Sequence, residues 1–281
     1  MKRTLAAVVI LLVIFVPAFG AAPAFGAAPA RIVSLAPNIT EILYDLGLGD
    51  RVVAVTDFCD YPPAAKAKPR VGGFTNPSLE AIVAARPDLV ILTDDGNPKA
   101  IYNRLRDLGI PCHVFTARRL KELPRGIREL GVALGVEKEA SALAGRIEKN
   151  MAALEKKARQ KRPHPPKSAL FIIQPEPLVV AGPGTLIHEA FGILGIRNVA
   201  ADGQVKYPKY SLEEIIHRSP DFILAGQGFM SSGGTERLKE RLHMLPAVKQ
   251  GRVCIVTERL YRLSPRAVAG IEEVARCAAG F

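Results

Sequence analysis

The chain has 281 residues, of which 48% are hydrophobic and 23% are charged. This length and apolar content suit one large or two small domains with a sizeable core, and they exclude a disordered protein. The formal net charge is +11, but the basic residues stand singly or in short groups without interleaved aromatic residues. This distribution argues against a nucleic-acid-binding protein.

The first 28 residues have the pattern of a secretory signal peptide. Lys2 and Arg3 form a cationic start, residues 5–16 are an unbroken apolar run, and small residues follow at 18–26. The alternative is an uncleaved anchor, which the run disfavours because a membrane span needs about 20 apolar residues. We therefore expect export to the periplasm as a soluble monomer without its signal segment.

Strand and helix patterns alternate after the signal segment. This alternation is typical of βαβ units with a largely parallel sheet. Strands are predicted at 31–35, 52–55, 89–92 and 112–115, and helices at 39–46, 78–86 and 98–108.

One long amphipathic helix is predicted at 137–162. Its apolar residues recur at spacings of three or four, and the proline run that begins at Pro163 ends it. Such a helix would extend roughly 39 Å, which suits a strut between two lobes. An ordinary long surface helix is the alternative.

The alternation resumes after these prolines, which predicts a second lobe of the same class. Strands are predicted at 169–173, 178–181, 222–225 and 253–256, and helices at 186–194, 211–218, 235–242 and 265–277.

An internal repeat connects the two halves. Residues 78–91 read SLEAIVAARPDLVI, residues 211–224 read SLEEIIHRSPDFIL, and six of the fourteen positions are identical. A repeat period above one hundred residues is too long for a solenoid. It predicts two similar lobes, at 29–136 and 163–281, with the helix at 137–162 between them.

The repeat places a carboxylate and an aromatic side chain at matching positions in each lobe. Glu80 and Glu213 follow the first serine of each copy, where the helix dipole alone would favour a carboxylate. Phe74 and Tyr207 each stand six residues earlier, in the loop that enters the helix. Each aromatic residue either packs on its own lobe or forms a wall of a cleft at the carboxyl ends of the strands.

Other motifs give little support for catalysis or for a metal site. The turn Gly182-Pro183-Gly184 lacks the remaining residues of a phosphate-binding loop. The five histidines are spread out without metal-ligand spacing, although a haem-binding histidine remains open. No set of nucleophile, base and oxyanion donors is evident, so we expect no catalytic residues. The four cysteines allow three full disulfide connectivities, and the sequence does not choose among them.

Several of these motifs together resemble the periplasmic binding proteins of the iron-siderophore, haem and cobalamin ABC transporters. The resemblance extends over essentially the whole mature chain and is carried by RIVSLAPNITEIL at 31–43, DYPP at 60–63, the paired SLE segments and Ser264-Pro265-Arg266. It implies an α/β fold of two Rossmann-like lobes with mainly parallel sheets, bridged by one long helix. It also implies a ligand between the lobes and delivery to a membrane permease dimer with its ATPase subunits.

The resemblance also implies roles for particular residues. It is strongest to the cobalamin-binding members, which implies a cobalamin or another corrinoid as ligand, with a ferric siderophore or haem as the alternative. It places ligand contacts at Tyr61, Phe74, Tyr207 and Arg266, and contacts with permease arginines at Glu80 and Glu213. The second-lobe disulfide of these members would include Cys277 here, with its partner position near Leu194 or Gly195. The alternative to a ligand-binding transport protein is an enzyme: an exported, doubly wound α/β enzyme.

Overall fold

The structure is a computed structural model that describes residues 28–162, 164–227 and 234–281, with only the backbone described for 234–237. The predicted signal peptide therefore lies outside the described residues, apart from Ala28. No helix among the described residues is long and apolar enough to cross a membrane.

The first lobe contains a four-stranded parallel sheet in the order β2-β1-β3-β4. β1 and β3 are buried along their whole lengths, because apolar clusters cover both faces of the sheet. The strands are β1 (Ile32–Ser34), β2 (Val52–Val55), β3 (Leu89–Thr93) and β4 (Cys112–Phe115). The helices are α1 (Pro37–Asp45), α2 (Leu79–Ala84), α3 (Lys99–Asp107) and α4 (Leu123–Leu134).

The second lobe has a similar sheet in the order β6-β5-β8-β9, with β7 also beside β5. Only β6 is antiparallel, because it forms a hairpin with β5. The strands are β5 (Ser168–Pro175), β6 (Leu178–Val180), β7 (Arg197–Asn198), β8 (Phe222–Gly226) and β9 (Val253–Val256). The helices are α6 (Leu186–Leu194), α7 (Leu212–Arg218), α8 (Gly234–Arg241), α9 (Pro246–Lys249) and α10 (Ala267–Ala279).

The helix α5 (Glu137–Gln160) bridges the two lobes. Its first half packs against α4, where Glu148 accepts two hydrogen bonds from Arg128 at 2.8 and 2.9 Å. Its last turns face α6 and α10 through Leu154 and Ala158. One buried apolar cluster therefore runs from β1 through α5 to α10. The predicted fold class, two mainly parallel α/β lobes bridged by one long helix, is confirmed.

Both copies of the repeat form a helix that begins at its serine. The Ser78 hydroxyl accepts a hydrogen bond from the Ala81 amide, and the Ser211 hydroxyl accepts one from the Glu214 amide, both at 3.1 Å. This capping supplies a partner for an amide that the first helical turn leaves free. The two copies of the repeat therefore share a local structure as well as a sequence pattern.

Three of the described strands and α-helices were not predicted from the sequence: α4, β7 and α9. The helix α4 contains Gly126 and Gly131, which lower intrinsic helix propensity. Both glycines allow close packing: a β-carbon at Gly126 would lie 2.9 Å from the Phe115 ring, and one at Gly131 would overlap Ala140. Leu123, Ile127, Leu130 and Leu134 recur at helical spacing and are all buried, so an apolar period favours this helix together with the packing of its glycines. The other two elements are only two and four residues long.

Cys277 pairs with Cys254, and the two Cα atoms are 6.2 Å apart. The partner is therefore a residue of β9, whereas the resemblance placed it near Leu194 or Gly195 at the end of α6. The disulfide joins β9 to α10. Cys59 and Cys112 are free thiols, the first buried and the second partly buried.

Candidate ligand cleft and docking carboxylates

The four predicted ligand residues all lie in loops that follow the carboxyl ends of strands. Tyr61 and Phe74 belong to the loop between β2 and α2, Tyr207 to the loop between β7 and α7, and Arg266 to the segment between β9 and α10. Ligands of open α/β sheets bind at this edge of the sheet.

The loop that contains Phe74 is held in place by Asn97. The Asn97 amide nitrogen donates hydrogen bonds to the carbonyls of Phe74 at 2.7 Å and Leu35 at 2.9 Å. Its oxygen accepts a hydrogen bond from the Thr93 amide at 2.9 Å. The Phe74 ring then packs directly on the α-carbon of Gly96, which leaves no room for a β-carbon. Asn97 therefore connects the aromatic loop to the ends of β1 and β3.

The loop that contains Tyr207 packs on the glycine-rich turn at 182–184. The Gly182 amide donates to the Lys206 carbonyl at 2.8 Å, and a β-carbon at Gly182 would lie 2.5 Å from the Val205 carbonyl oxygen. Thr185 caps α6 by accepting a hydrogen bond from the His188 amide. This turn therefore positions Tyr207, in agreement with its interpretation as a turn before a helix.

An ion pair between the lobes brings the two aromatic loops together. Lys206 lies 3.4 Å from Asp95, and these residues neighbour Tyr207 and Gly96 along the chain. Partial burial and, second, the charge of Asp95 raise the pKa of the Tyr207 phenol, which is therefore neutral at pH 7. Tyr207 is 52% exposed, so its ring is accessible to a ligand.

A second contact between the lobes places Arg266 over the ring of Tyr61. The guanidinium carbon is 3.6 Å from the ring centroid. Arg266 also donates two hydrogen bonds to Glu41 of α1, at 2.6 and 2.9 Å, and one to Glu258 at 3.2 Å. Burial alone would lower the pKa of Arg266, but these two carboxylates outweigh it and raise the pKa. The structure thus brings together two of the predicted ligand residues.

A second arginine strengthens this contact between the lobes. Arg262 donates to Asp60 at 2.6 Å, to Glu41 at 3.3 Å and to the Phe58 carbonyl at 3.4 Å. Burial acts to raise the pKa of Asp60, but the hydrogen bond and charge of Arg262 outweigh it and lower that pKa. Phe58, three residues before Tyr61 in the chain, is 62% exposed.

Glu80 and Glu213 are exposed residues in the first turns of α2 and α7. Hydrogen bonds from the backbone amide of each glutamate and from the preceding serine hydroxyl lower the pKa of both carboxyl groups. Both are therefore ionised at neutral pH. The repeat therefore gives each lobe an exposed, ionised carboxylate at the matching position of its helix.

The described residues contain no group of three or more histidine, cysteine, aspartate or glutamate side chains that could hold a metal ion. Of the histidines, His188 lies in α6 beside Asn198, and burial lowers the pKa of His113. The four predicted ligand residues are three aromatic side chains and one arginine paired with carboxylates, a set suited to binding a large flat molecule.

A cavity of about 380 Å³ lies outside this cleft. It is formed between the last turns of α5, the end of α6 with Ile196, and α10, and its lining combines apolar residues with lysines, Glu272 and Arg276. None of the predicted ligand residues lines it.

Sequence reasoning did not identify Glu41, Arg262, Asn97 or Phe58. Glu41 lies in α1 between apolar or neutral residues, and its side chain is only 1% exposed. A charged residue within a buried helical stretch was the available signal. Its partners are 221 and 225 residues away, so the sequence did not reveal them.

Comparison with known proteins identifies the family. The periplasmic binding protein family matches residues 32–260, and this chain belongs to that family. The vitamin B12-binding protein of Vibrio campbellii is 31% identical over 204 residues, which span 73% of each chain.

Two solved structures are similar over nearly the whole chain. The periplasmic vitamin B12-binding protein BtuF of Vibrio cholerae has a TM-score of 0.79 and 28% identity, with 90% of this chain and 97% of that chain covered. The periplasmic heme-binding protein RhuT from Roseiflexus sp. RS-1, in its apo form, has a TM-score of 0.81 and 31% identity. The match with RhuT covers 88% of this chain and 97% of that chain.

Proposed function

We propose that this protein is the substrate-binding component of an ABC importer, that it binds a cobalamin or another corrinoid between its lobes, and that it delivers the ligand to a membrane permease. The observation that carries the proposal is that Tyr61, Phe74, Tyr207 and Arg266 all lie in loops after the carboxyl ends of strands, with Arg266 of the second lobe against the Tyr61 ring of the first. Similarity to proteins named for vitamin B12 binding supports the choice of ligand.

The chemistry of the cleft suits a large, flat ligand with uncharged polar groups around its edge. Aromatic rings supply apolar area at low entropic cost, and a few placed polar groups orient the ligand. The two arginines already bind carboxylates of the protein, so their charge is largely compensated. A corrinoid ring with amide side chains fits such a surface.

The delivery step is assigned to Glu80 and Glu213. A permease made of two subunits would meet one carboxylate from each lobe, and arginine forks bind carboxylates with two parallel hydrogen bonds. Charge complementarity at such a surface sets orientation and encounter rate. The partner is an ABC permease dimer with its ATPase subunits, reached after export directed by the segment before Ala28. The protein acts as a monomer and performs no catalysis.

Haem is the second candidate ligand, because RhuT has the higher identity and TM-score of the two solved structures. Haem iron is commonly held by a histidine, cysteine, methionine or tyrosine side chain. The phenols of Tyr61 and Tyr207 are the groups of that kind among the cleft residues described above. A haem would therefore bind through one of these phenols.

Calorimetry combined with visible spectroscopy tests the choice of ligand. Cyanocobalamin, cobinamide, haem and a ferric siderophore are titrated into the mature protein. Saturable binding of one corrinoid per chain, with no change in the haem spectrum, is the expected result. A phenolate-type haem spectrum with no heat from either corrinoid would assign the protein to haem uptake.

A further inference from the structure

Glu41 occupies the centre of the contact between the lobes. Its carboxylate is 1% exposed, and both of its oxygens accept hydrogen bonds from arginines of the other lobe. Arg266 binds it through two nitrogens, and Arg262 binds it at 3.3 Å. A carboxylate this deeply buried requires such pairing, because an unpaired buried charge is very costly.

Each arginine also donates to further acceptors of the protein. Arg266 donates to Glu258, and Arg262 donates to Asp60 and to the Phe58 carbonyl. A guanidinium has five N–H donors, and three of those on Arg266 are directed at carboxylate oxygens. Two positive charges are thus surrounded by three negative ones. This end of the cleft therefore offers a ligand little free positive charge.

The cluster also touches the aromatic wall of the cleft. Arg266 lies against the Tyr61 ring, so an atom that binds to the exposed face of Tyr61 is close to the cluster. A ligand carboxylate placed there would be repelled by Glu41, Asp60 and Glu258. A ligand amide carries no charge and would not be repelled, so the cluster discriminates between two kinds of polar fringe.

We propose that Glu41 is a specificity-determining residue of the cleft: by binding and neutralising Arg262 and Arg266, it makes the cleft select an amide-fringed ligand over one with free carboxylates. The inference rests on the proposed function in one respect, namely that the ligand binds between the lobes beside Tyr61. It extends that function by assigning the choice between a corrinoid, with side-chain amides, and haem, with two propionates, to one buried carboxylate.

The test compares ligands that differ by a single charge. The wild-type protein and Glu41→Gln are titrated with cyanocobalamin and with its monocarboxylic acid, made by hydrolysis of one side-chain amide. The wild type should prefer the amide form. In Glu41→Gln, the affinity for the acid relative to the amide form should rise about tenfold, the effect of one hydrogen bond to a charged group. Equal weakening of both ligands would show a purely structural role and overturn the proposal.

Two further variants make the result decisive. Glu148→Gln removes a carboxylate that also accepts two hydrogen bonds from one arginine, but its pair is exposed and joins α4 to α5. The ratio of its affinities for the amide and acid forms of the ligand should equal that of the wild type. Asp60→Asn removes a carboxylate that is 52% exposed, and it should shift the ratio in the same direction as Glu41→Gln by a smaller factor. If Glu41→Gln does not fold, an unchanged ratio in Asp60→Asn overturns the proposal.

Two outcomes separate this inference from the proposed function. If the wild type binds cyanocobalamin but Glu41→Gln leaves the ratio of affinities for the amide and acid forms unchanged, the proposed ligand stands and the inference alone fails. If the wild type binds haem and neither corrinoid, the proposed ligand is wrong and so is the selection against carboxylates, because haem carries two propionates. A chain that binds none of these ligands would contradict both.

Discussion

Gly96 controls the position of an aromatic wall of the cleft. Its φ of +128° is in a region that residues with a side chain rarely adopt, and the Phe74 ring occupies the space of a β-carbon. Gly96→Ala should therefore both destabilise the fold and displace the Phe74 ring, which weakens ligand binding. Thermal unfolding and calorimetric titration measure the two effects separately.

Gly109 is the matched control for Gly96. It also has a positive φ, of +72°, but no atom lies within 4 Å of the position that a β-carbon would take. Gly109→Ala should cost about 1–2 kcal/mol of folding free energy through the backbone alone and leave ligand affinity unchanged. Equal losses of affinity in both variants would contradict the assignment of Phe74 to the cleft.

Tyr61 and Tyr207 are expected to carry much of the affinity. Replacement of either residue by alanine should weaken cyanocobalamin binding by roughly 1–3 kcal/mol, the value of a lost aromatic contact. Tyr210 offers a matched control, because Arg218 lies 4.9 Å from its ring centroid and the residue packs on the core of the second lobe. Tyr210→Ala should lower stability without a comparable loss of affinity in calorimetry.

At the scale of residues, the sequence predicted individual positions better than their partners. Tyr61 and Arg266 were both expected at the ligand, and their loops do converge. Their contact with each other, and the role of Glu41 beneath them, depend on pairing across more than 200 residues. Such pairing has no local pattern, because it is set by how two separately formed lobes meet.

At the scale of elements, patterning predicted most strands and helices but missed α4, β7 and α9. In α4 two glycines lower local propensity, yet Leu123, Ile127, Leu130 and Leu134 recur at helical spacing, so the sequence did contain a signal for this helix. The sequence also left the disulfide pairing undetermined, because four cysteines permit several pairings. Only the folded contact between β9 and α10 identifies Cys254 as the partner of Cys277.

The disulfide should stabilise the second lobe without contributing to the ligand site. It closes a loop with a sequence separation of 23 residues between β9 and α10. Replacement of both Cys254 and Cys277 by serine should cost about 2–4 kcal/mol of unfolding free energy, measured by denaturant titration. Cys112→Ser, which alters a free thiol, is the control. Unchanged stability in the double variant would show that the bond contributes nothing to the folded state.

At the scale of the whole molecule, several contacts connect the lobes. The helix α5 packs on both of them, Glu41 binds Arg266, Asp95 pairs with Lys206, and the Leu120 amide donates to Glu189 at 2.9 Å. A helix resists bending more than extended strands do, because bending strains its hydrogen-bond ladder.

We therefore expect little movement of the lobes when the ligand binds. Small-angle X-ray scattering of the free and ligand-bound protein should give nearly the same radius of gyration. A large compaction on addition of cyanocobalamin, as in hinge closure, would contradict this expectation. The rigid arrangement implies that release of the ligand depends on the permease.

Transport through a reconstituted permease and ATPase complex tests delivery of the ligand most directly. Glu80→Ala/Glu213→Ala alters two exposed carboxylates and should leave the melting temperature and the calorimetric affinity for cyanocobalamin unchanged. Wild-type protein should support ATP-dependent uptake of labelled cyanocobalamin into proteoliposomes, and the double variant should lose most of that uptake. Equal uptake with both proteins, or loss of ligand binding in the double variant, would contradict the account.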